Sequence, residues 1–487
     1  MVFAWCFVLA SILLFSSSSR LYLSSLVVGF VFHLLSLYWF SEMLCAFGGL
    51  CFPLNFLITV GFALFYSLQF LLCAWLFRLL SKTFLSEYRL ALPLAWFCAE
   101  FFYPKFFPWT LSRTQLLFSP LSALGEFLDA HILGFLMFYW GELALLCAFF
   151  LFRRVSPAAL FRLVPSALFL PLLLLGLYRT RFYEAIIAAE DGQMEVALVQ
   201  GNLDIHRKGD ISYLSANLAH YRELSKDALR GGAVDLLVWP ESVSLKWMPE
   251  GLASLRNTAL HPFPSLSTNM IYGGLSYRRA SELPLRFNSA FAIDAEARVL
   301  GVYHKRALVP FGEYVPLSEY FPALKGLFPQ IANLSFGDLK EPITMRFAPP
   351  VGDASVGVLI CYDDIVPELS FDAVRAGAEL LVNLTNDAWY GDTAAPYQHH
   401  MLASWRAIET RRYLLRSTNT GYTAVVDPLG RTFASLPIFE PGVLRAGVKL
   451  MSSNTLHSSL GNWPSWLLFC SVMLGLALRF SSCLLRS

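Results

Sequence analysis

From Met1 to Tyr178 the chain is a succession of long apolar runs broken only by isolated charges, whereas from Arg179 to about Lys449 it reads as an ordinary mixed globular sequence. A hydrocarbon core needs roughly 20 apolar residues to be crossed by a helix. The runs near residues 2–16, 23–41, 53–77, 90–103, 121–151 and 158–178 approach or exceed that requirement, and Trp463 to Phe480, WPSWLLFCSVMLGLALRF, adds another near 464–480. The chain is therefore expected to be a membrane protein with seven spans and one soluble domain inserted late. With 56% hydrophobic and only 15% charged residues, its composition lies outside the usual soluble range.

Basic residues near the ends of the runs assign the sides. Arg20, the Arg78 to Arg89 group, Arg153, Arg154 and Arg162, and Arg479 with Arg486 fall on one face, which is expected to be cytoplasmic. The loops around Glu42 to Pro53 and Tyr103 to Pro120 carry only Lys105 and Arg113 as basic residues, so they and the soluble domain are expected on the other side. The first run lacks a charged start and a small-residue cleavage site, which predicts a retained helix rather than a removed signal peptide. The aromatic and proline-rich loop Tyr103 to Gln115 is expected either to lie at the membrane interface or to be an ordinary loop. Glu100, Glu126 and Glu142 are read as near span ends or packed between helices.

A net charge of +2, dispersed along the chain, excludes a nucleic-acid surface, which needs clustered Lys and Arg against many phosphates. Of nine cysteines, Cys361 is the only one between Arg179 and Lys449, so this region forms no internal disulfide. A single thiol is either a small buried hydrophobe or a reactive group.

Within that region, short β-rich runs alternate with polar, helix-like stretches: Glu195 to Gln200, the helical Ile211 to Arg230, Val234 to Trp239, Met270 to Tyr277, Ser289 to Ile293, Val299 to His304, Val356 to Cys361, Glu379 to Leu384 and Thr423 to Val426. The pattern predicts an α/β fold with sheets buried by helices. Chemistry in such folds gathers at the carboxyl ends of strands. Three of those ends stand out. In LLVWPES a proline ends the ladder and presents Glu241. In VYHKRALVPFGEYVP, Lys305 follows a strand and Glu313 sits in the loop beyond. In VGVLICYDDIVPE, Cys361 ends a strand and enters a helix expected to start near Asp364, where backbone N–H groups favour a thiolate or an oxyanion.

Singly, each has an ordinary explanation: a solvated carboxylate, a solvated lysine, a buried thiol. Together they make one device, because a carboxylate can take the thiol proton, a cation can stabilise developing negative charge and the sulfur can be acylated. A metal site is disfavoured, since His304, His399 and His400 show no ligand spacing, and His399 and His400 are expected to be polar packing or surface groups.

The motifs VQGN, WPES, YHKRALVPFGEYVPL, ICYDD, NLTNDAWYGD, RSTNTGYTAVVDPLG and GNWPSW, with the apolar runs around them, closely resemble the apolipoprotein N-acyltransferase family of bacterial membrane enzymes, built on a nitrilase-superfamily domain. The resemblance implies a polytopic α-helical membrane domain at 1–178, an exported α/β nitrilase-like αββα sandwich at 179–455, and a final span with a short cytoplasmic tail at 456–487. It implies Glu241 as general base, Lys305 as stabiliser of the tetrahedral intermediate and Cys361 as nucleophile, supported by Glu313, Tyr362 and Asp363. Trp389 is a candidate substrate or lid contact. The implied reaction is ping-pong: an acyl chain passes from a phospholipid, typically phosphatidylethanolamine, to the thiol, and then to the α-amino group of a diacylglyceryl-cysteine lipoprotein. No cofactor and no metal are expected, the chain is expected to act as a monomer, and its place is the bacterial inner membrane with the catalytic domain on the periplasmic side.

This chain departs from the resemblance in three ways. Family members usually have eight spans, so the first is expected to be absent or the true start to lie upstream. Asp363 stands where the family often has Glu, and LDIHRKGDISYL, residues 203–214, lacks the tryptophan common there. Two rivals remain at this stage. A membrane-tethered amidase would use the same three residues with water as second nucleophile. A transporter or lipid-binding scaffold would need no triad, and the scarcity of charges within the runs argues against an ion pathway.

Overall fold

The computed structural model describes residues 18–83, 90–151, 169–189, 193–279, 284–318, 320–327, 331, 333–338 and 341–484. The expected span at 2–16 and part of that at 158–178 lie outside these residues. The chain divides into two compact units, Met1–Glu184 with Ser459–Ser487, and Ala185–Ser458.

The first unit is helical: α1 Ser18–Ser36, α2 Trp39–Gly48, α3 Leu54–Leu80, α4 Ala91–Phe102, α5 Ala130–Leu151, α6 Phe169–Ala188, which runs on into the second unit, and α10 Trp463–Leu484. Of the described helices, Leu54–Leu80 is long and apolar enough to cross a bilayer, and the pair Arg20–Ser36 with Trp39–Ala46, bent by 50°, is a second candidate; Ala91–Phe102, Ala130–Gly141 and Trp463–Arg479 are apolar but shorter. Two of the expected runs are not single straight helices. The run at 23–41 breaks at Leu37 and Tyr38, and the run at 121–151 becomes helical in earnest only at Ala130, after a short helix Ser119–Ser122 and a 3-10 turn Ala123–Glu126.

The helices of this unit are built inside out relative to a water-soluble bundle. Leu23, Val27, Val31 and Leu35, spaced by four along one face of α1, are exposed, while Ser25 and His33 are buried. Glu100 and Gln69 are also buried. Buried polar groups need partners, and several are visible. Glu100 Oε1 accepts from Leu111 N at 2.8 Å. Arg179 donates twice to Glu126, at 2.7 and 2.9 Å. Asp129 accepts from His131 N, Ile132 N and Ser465 Oγ. The loop Tyr103 to Gln115 folds onto the unit, with Lys105 Nζ donating to Trp109 O at 3.1 Å and Leu111, Ser112 and Arg113 buried. Cys45, in the last turns of α2, and Cys51, in the connection to α3, form a disulfide.

The second unit is two facing β-sheets. The first has the order β13-β1-β2-β4-β5-β6, with β3 paired to β4; its strands are β1 Gln193–Gln200, β2 Leu236–Val238, β3 Ser244–Pro249, β4 Asn269–Arg278, β5 Leu285–Ile293, β6 Val299–His304 and β13 Gly442–Lys449. The second has the order β12-β11-β10-β9-β8-β7, from β7 Ile343–Arg346, β8 Asp353–Ile360, β9 Leu380–Thr385, β10 Leu414–Thr418, β11 Ala424–Val426 and β12 Thr432–Ser435. Helix α7, Leu214–Arg230, covers the first sheet, and α8 Pro367–Arg375 and α9 Ala395–Thr410 cover the second. The layers are α, β, β, α.

β2 and β9 are buried at every position, which is why they read as unbroken apolar runs. Between α7 and the first sheet lie Tyr221, Leu237, Trp239, Met270 and Phe291, each within the buried core. Each such side chain contributes about 1.5–3 kcal/mol by leaving water. Trp239 is held further by its Nε1–H, donated to Ser225 Oγ at 2.8 Å. The sheets are pinned face to face by Ser417 Oγ, which lies 3.1 Å from Val199 O and 3.3 Å from Val238 O.

Candidate active site

Glu241, Lys305 and Cys361 come from the carboxyl ends of β2, β6 and β8, and all three are buried, at 6%, 1% and 8% exposure. Glu241 is set by the turn that Pro240 forces after β2. Pro240 O accepts from Gly273 N at 3.1 Å, and Val243 N donates to Gly273 O at 3.0 Å, so the turn lies directly on β4. A side chain at position 273 would come within 2.6 Å of Glu241 Cα and Pro240 O, so only glycine allows this approach.

Lys305 Nζ lies 2.8 Å from Glu313 Oε2 and 2.9 Å from Oε1, and 3.6 Å from Glu241 Oε1. Glu313 is held in turn by Val309 N at 2.9 Å. The two carboxylates share a donor: Asn288 Nδ2 donates to Glu241 Oε1 at 2.7 Å and to Glu313 Oε1 at 3.2 Å. Although burial alone would lower it, the Lys305 ammonium is held well above the usual lysine range by Glu313 and Glu241 and by the negative charge Cys361 can carry.

Cys361 has φ +50°, a left-handed conformation unusual for a side chain of this kind. Its carbonyl accepts from Asn383 Nδ2 at 3.3 Å. Burial and the nearby Glu241 push the thiol up, and Lys305 opposes them. A resting thiol beside a carboxylate base suits proton transfer at the moment of attack better than a standing thiolate.

The expected helix near Asp364 is corrected: residues Cys361–Ile365 form a single 3-10 turn, and α8 begins only at Pro367. Proline cannot sit deeper in a helix, and it marks the start. Asp363 is bonded to the backbone around the turn. It is fully buried and accepts from Ala307 N at 2.7 Å, Ile360 N at 3.0 Å and Tyr303 OH at 3.0 Å, tying the turn to the loop that follows Lys305. Burial raises its carboxyl to about 6. Tyr362 is half-buried beside Tyr390. Trp389 is half-buried in the 3-10 turn Asp387–Tyr390, whose Asp387 acts electrostatically on Cys361 and whose Tyr390 feels the charge Cys361 can carry.

Three further groups were not anticipated. Asn288 sits mid-strand in β5, an asparagine within LRFNSAFAI, and that polar break was its signal. Lys208, in the short helix Ile205–Gly209, is buried and its Nζ donates to Glu241 O at 2.5 Å; inside HRK it reads as surface charge and gave no signal. Burial lowers its ammonium to about 8, against the pull of Glu241.

The third is a network behind the thiol. His399 lies 2.8 Å from Asp387 Oδ1 and 2.9 Å from Asp364 Oδ1, and Arg416 Nη2 donates to Asp387 Oδ2 at 3.0 Å. The reading of His399 and His400 as surface groups is thereby excluded: both are buried. His399 is raised to about 9, since Asp364 and Asp387 outweigh its burial. Asp387 falls to about 2, since Arg416 and His399 outweigh its own. Among the described residues no group of His, Cys, Asp and Glu could hold a metal ion.

Residues 195–456 match the carbon-nitrogen hydrolase family, and residues 1–143 match the apolipoprotein N-acyltransferase N-terminal domain. An apolipoprotein N-acyltransferase of Geobacter metallireducens is 33% identical over 80% of this chain and 74% of its own length. The chain belongs to the apolipoprotein N-acyltransferase family. A second relative, from Azotobacter vinelandii, is 32% identical over 90% of this chain and 82% of its own. Among solved structures, yeast Nit3, a nitrilase-superfamily protein from Saccharomyces cerevisiae, aligns with 20% identity over 53% of this chain and 90% of its own, with a TM-score of 0.39. Membership in the apolipoprotein N-acyltransferase family makes the chain an enzyme of the carbon-nitrogen hydrolase superfamily.

Proposed function

We propose that this chain is a phospholipid:apolipoprotein N-acyltransferase working by a two-step thioester mechanism. Glu241 takes the thiol proton as Cys361 attacks the ester carbonyl of a phospholipid, most simply phosphatidylethanolamine. The developing oxyanion is stabilised by the Lys305 ammonium. The ester bond breaks, the lysophospholipid oxygen takes the proton from Glu241, and the acyl group remains on sulfur. In the second step the α-amino group of a diacylglyceryl-cysteine lipoprotein attacks the thioester and yields its proton to Glu241. Cys361 leaves as thiolate, is reprotonated, and the amide product departs.

The observation that carries this reading is the buried convergence of Glu241 and Lys305 with Asn288 and Glu313, at the strand ends from which Cys361 also emerges. Glu313 aims Lys305, and Asp363 fixes the loop after it. Tyr362 and Trp389 are assigned to the path of the acyl chain. The chain is proposed to act as a monomer.

The helical unit, on this reading, makes the protein a multi-pass protein of the bacterial inner membrane, with the catalytic unit on the periplasmic side. The exposed apolar stripe of α1 over buried polar groups supports immersion in lipid. The Cys45–Cys51 disulfide supports an exported position for the Glu42 to Pro53 loop, because such bonds persist in oxidising compartments.

The test is intact-mass analysis of the purified protein incubated with phosphatidylethanolamine and then with a diacylglyceryl-cysteine peptide. A gain of one acyl group on Cys361 that moves to the peptide amine is expected. Release to water alone would instead identify an amidase-type hydrolase, and no gain would leave a lipid-binding protein.

A further inference from the structure

Lys305 divides its charge unequally. Its closest contacts, at 2.8 and 2.9 Å, are to Glu313, whereas Glu241, the group that must act as base, lies at 3.6 Å. Two carboxylates facing one amide and one ammonium leave an excess of one negative charge in a buried site. Like charges held close in such a place repel each other, and a second cation relieves that repulsion.

Lys208 approaches from the other side. It follows β1 in a short helix capped by Asp204, whose carboxylate accepts from His206 N and Arg207 N, and its Nζ reaches Glu241 O at 2.5 Å. A buried ammonium is expensive unless nearby negative charge compensates it. A backbone carbonyl alone could be satisfied by a neutral donor, so the carbonyl does not account for a lysine here. The negative charge that acts most on Lys208 is that of Glu241, and Cys361 adds its own only once it has given up its proton.

We propose that Lys208 is a positioning residue for acyl transfer: its ammonium clamps the Glu241 backbone and is the second cation of the site. The inference rests on the acyl-transfer reading above. Two carboxylates, Glu241 and Glu313, are then matched by two ammonium groups, Lys208 and Lys305. The balance survives the reaction, because in the tetrahedral intermediate the oxyanion replaces the charge that Glu241 loses on taking the proton. Fixing the carbonyl also fixes the turn that carries the base, where Ser242 has φ +51°.

The experiment uses the full-length protein in detergent with phosphatidylethanolamine and follows two rates: formation of the acyl-enzyme, and alkylation of Cys361 by iodoacetamide, a neutral reagent that needs no lipid. Lys208→Met is expected to slow both by about tenfold or more, with the lipid concentration for half-maximal acylation unchanged. Lys208→Arg should recover part of each rate, and ethylammonium should restore Lys208→Ala, which also covers the case in which the methionine variant misfolds. Rates for Lys208→Met within about threefold of the parent would overturn the proposal. So would a slow Lys208→Met matched by an equally slow Lys208→Arg with no ethylammonium rescue, since packing alone would then explain the site. If the parent alkylates but never acylates, the function reading fails while the alkylation rates still judge Lys208.

Discussion

Asn288 is the most informative single residue to change, because its amide donates to both carboxylates, whereas Lys305 donates to Glu313 and only pairs with Glu241 at 3.6 Å. It is buried at 4% exposure, and its Oδ1 has no partner among the described residues, so the amide serves the site through its NH2 group. Hydrogen bonds to charged groups are worth about 1.5–3 kcal/mol each. Asn288→Ala removes two of them, and only the part that is stronger during proton transfer appears in the rate. A loss of about 2–3 kcal/mol is the expectation, or roughly 30- to 150-fold slower acylation of Cys361. The isosteric Asn288→Asp separates shape from chemistry. It keeps the volume but sets a third carboxylate at the 2.7 Å contact with Glu241, where repulsion reaches about 6 kcal/mol even at an effective dielectric of 20. It should therefore be slower than Asn288→Ala at neutral pH. The assay is rapid-quench intact mass with phosphatidylethanolamine, on variants matched for thermal unfolding. An aspartate variant as fast as the alanine one would refute the reasoning, because a bridging donor could not then be what the site requires.

Glu241→Gln should insert and fold normally yet give no lipid label on Cys361, and normal labelling would remove Glu241 from the role of base. Gly273→Ala pushes a methyl group against Glu241 Cα and Pro240 O; since a displacement of about 1 Å can cost 10²-fold, acylation should fall by about that factor while expression persists, as mass labelling would show. His399, raised from 6.5 to about 9 in the fold, stabilises the catalytic unit fully below pH 6.5 and loses that contribution as pH rises through about 9. At about 1.4 kcal/mol per unit this amounts to about 3 kcal/mol. Tryptophan-monitored unfolding should show the decline, and His399→Gln should flatten it.

Legibility in the sequence followed chemistry that repeats locally. β2, β8 and β9 were visible because buried strands are continuously apolar, and the candidate Glu, Lys and Cys stood at their ends or at that of β6. β10 was missed: Leu414–Thr418 is wholly buried, but Arg416, Ser417 and Thr418 make it look like a loop. Arg416 is satisfied by Asp387, just beyond the neighbouring strand β9, and Ser417 and Thr418 across the sandwich by Val199 O and Gln200 Oε1, which no local pattern reveals. β13 was missed for the opposite reason. It is half-exposed along most of its length, and what makes it a strand is its full antiparallel pairing with β1, some 250 residues earlier in the chain. Lys208 and Asn288 belong to the same class, since their meaning lies in partners distant in sequence.

Transfer and hydrolysis share the thioester, so the difference between them lies in which nucleophile reaches it. Cys361, Glu241 and Lys305 are each less than a tenth exposed, so few waters share the site, and a closed site suppresses hydrolysis of a reactive intermediate. The amine that must compete with water carries two acyl tails, and a tethered reactant meets its target at a high effective concentration. Confining a lipid-borne amine to the bilayer of the host membrane raises its local concentration without any new contact to the triad. The helical unit can therefore turn a hydrolase-type triad into a transferase by changing supply alone, and the distinction should be lost in dilute detergent. There, lowering the concentration of diacylglyceryl-cysteine peptide should raise the fraction of thioester lost to water, whereas an enzyme that discriminated by contacts at the triad would simply hold its acyl group.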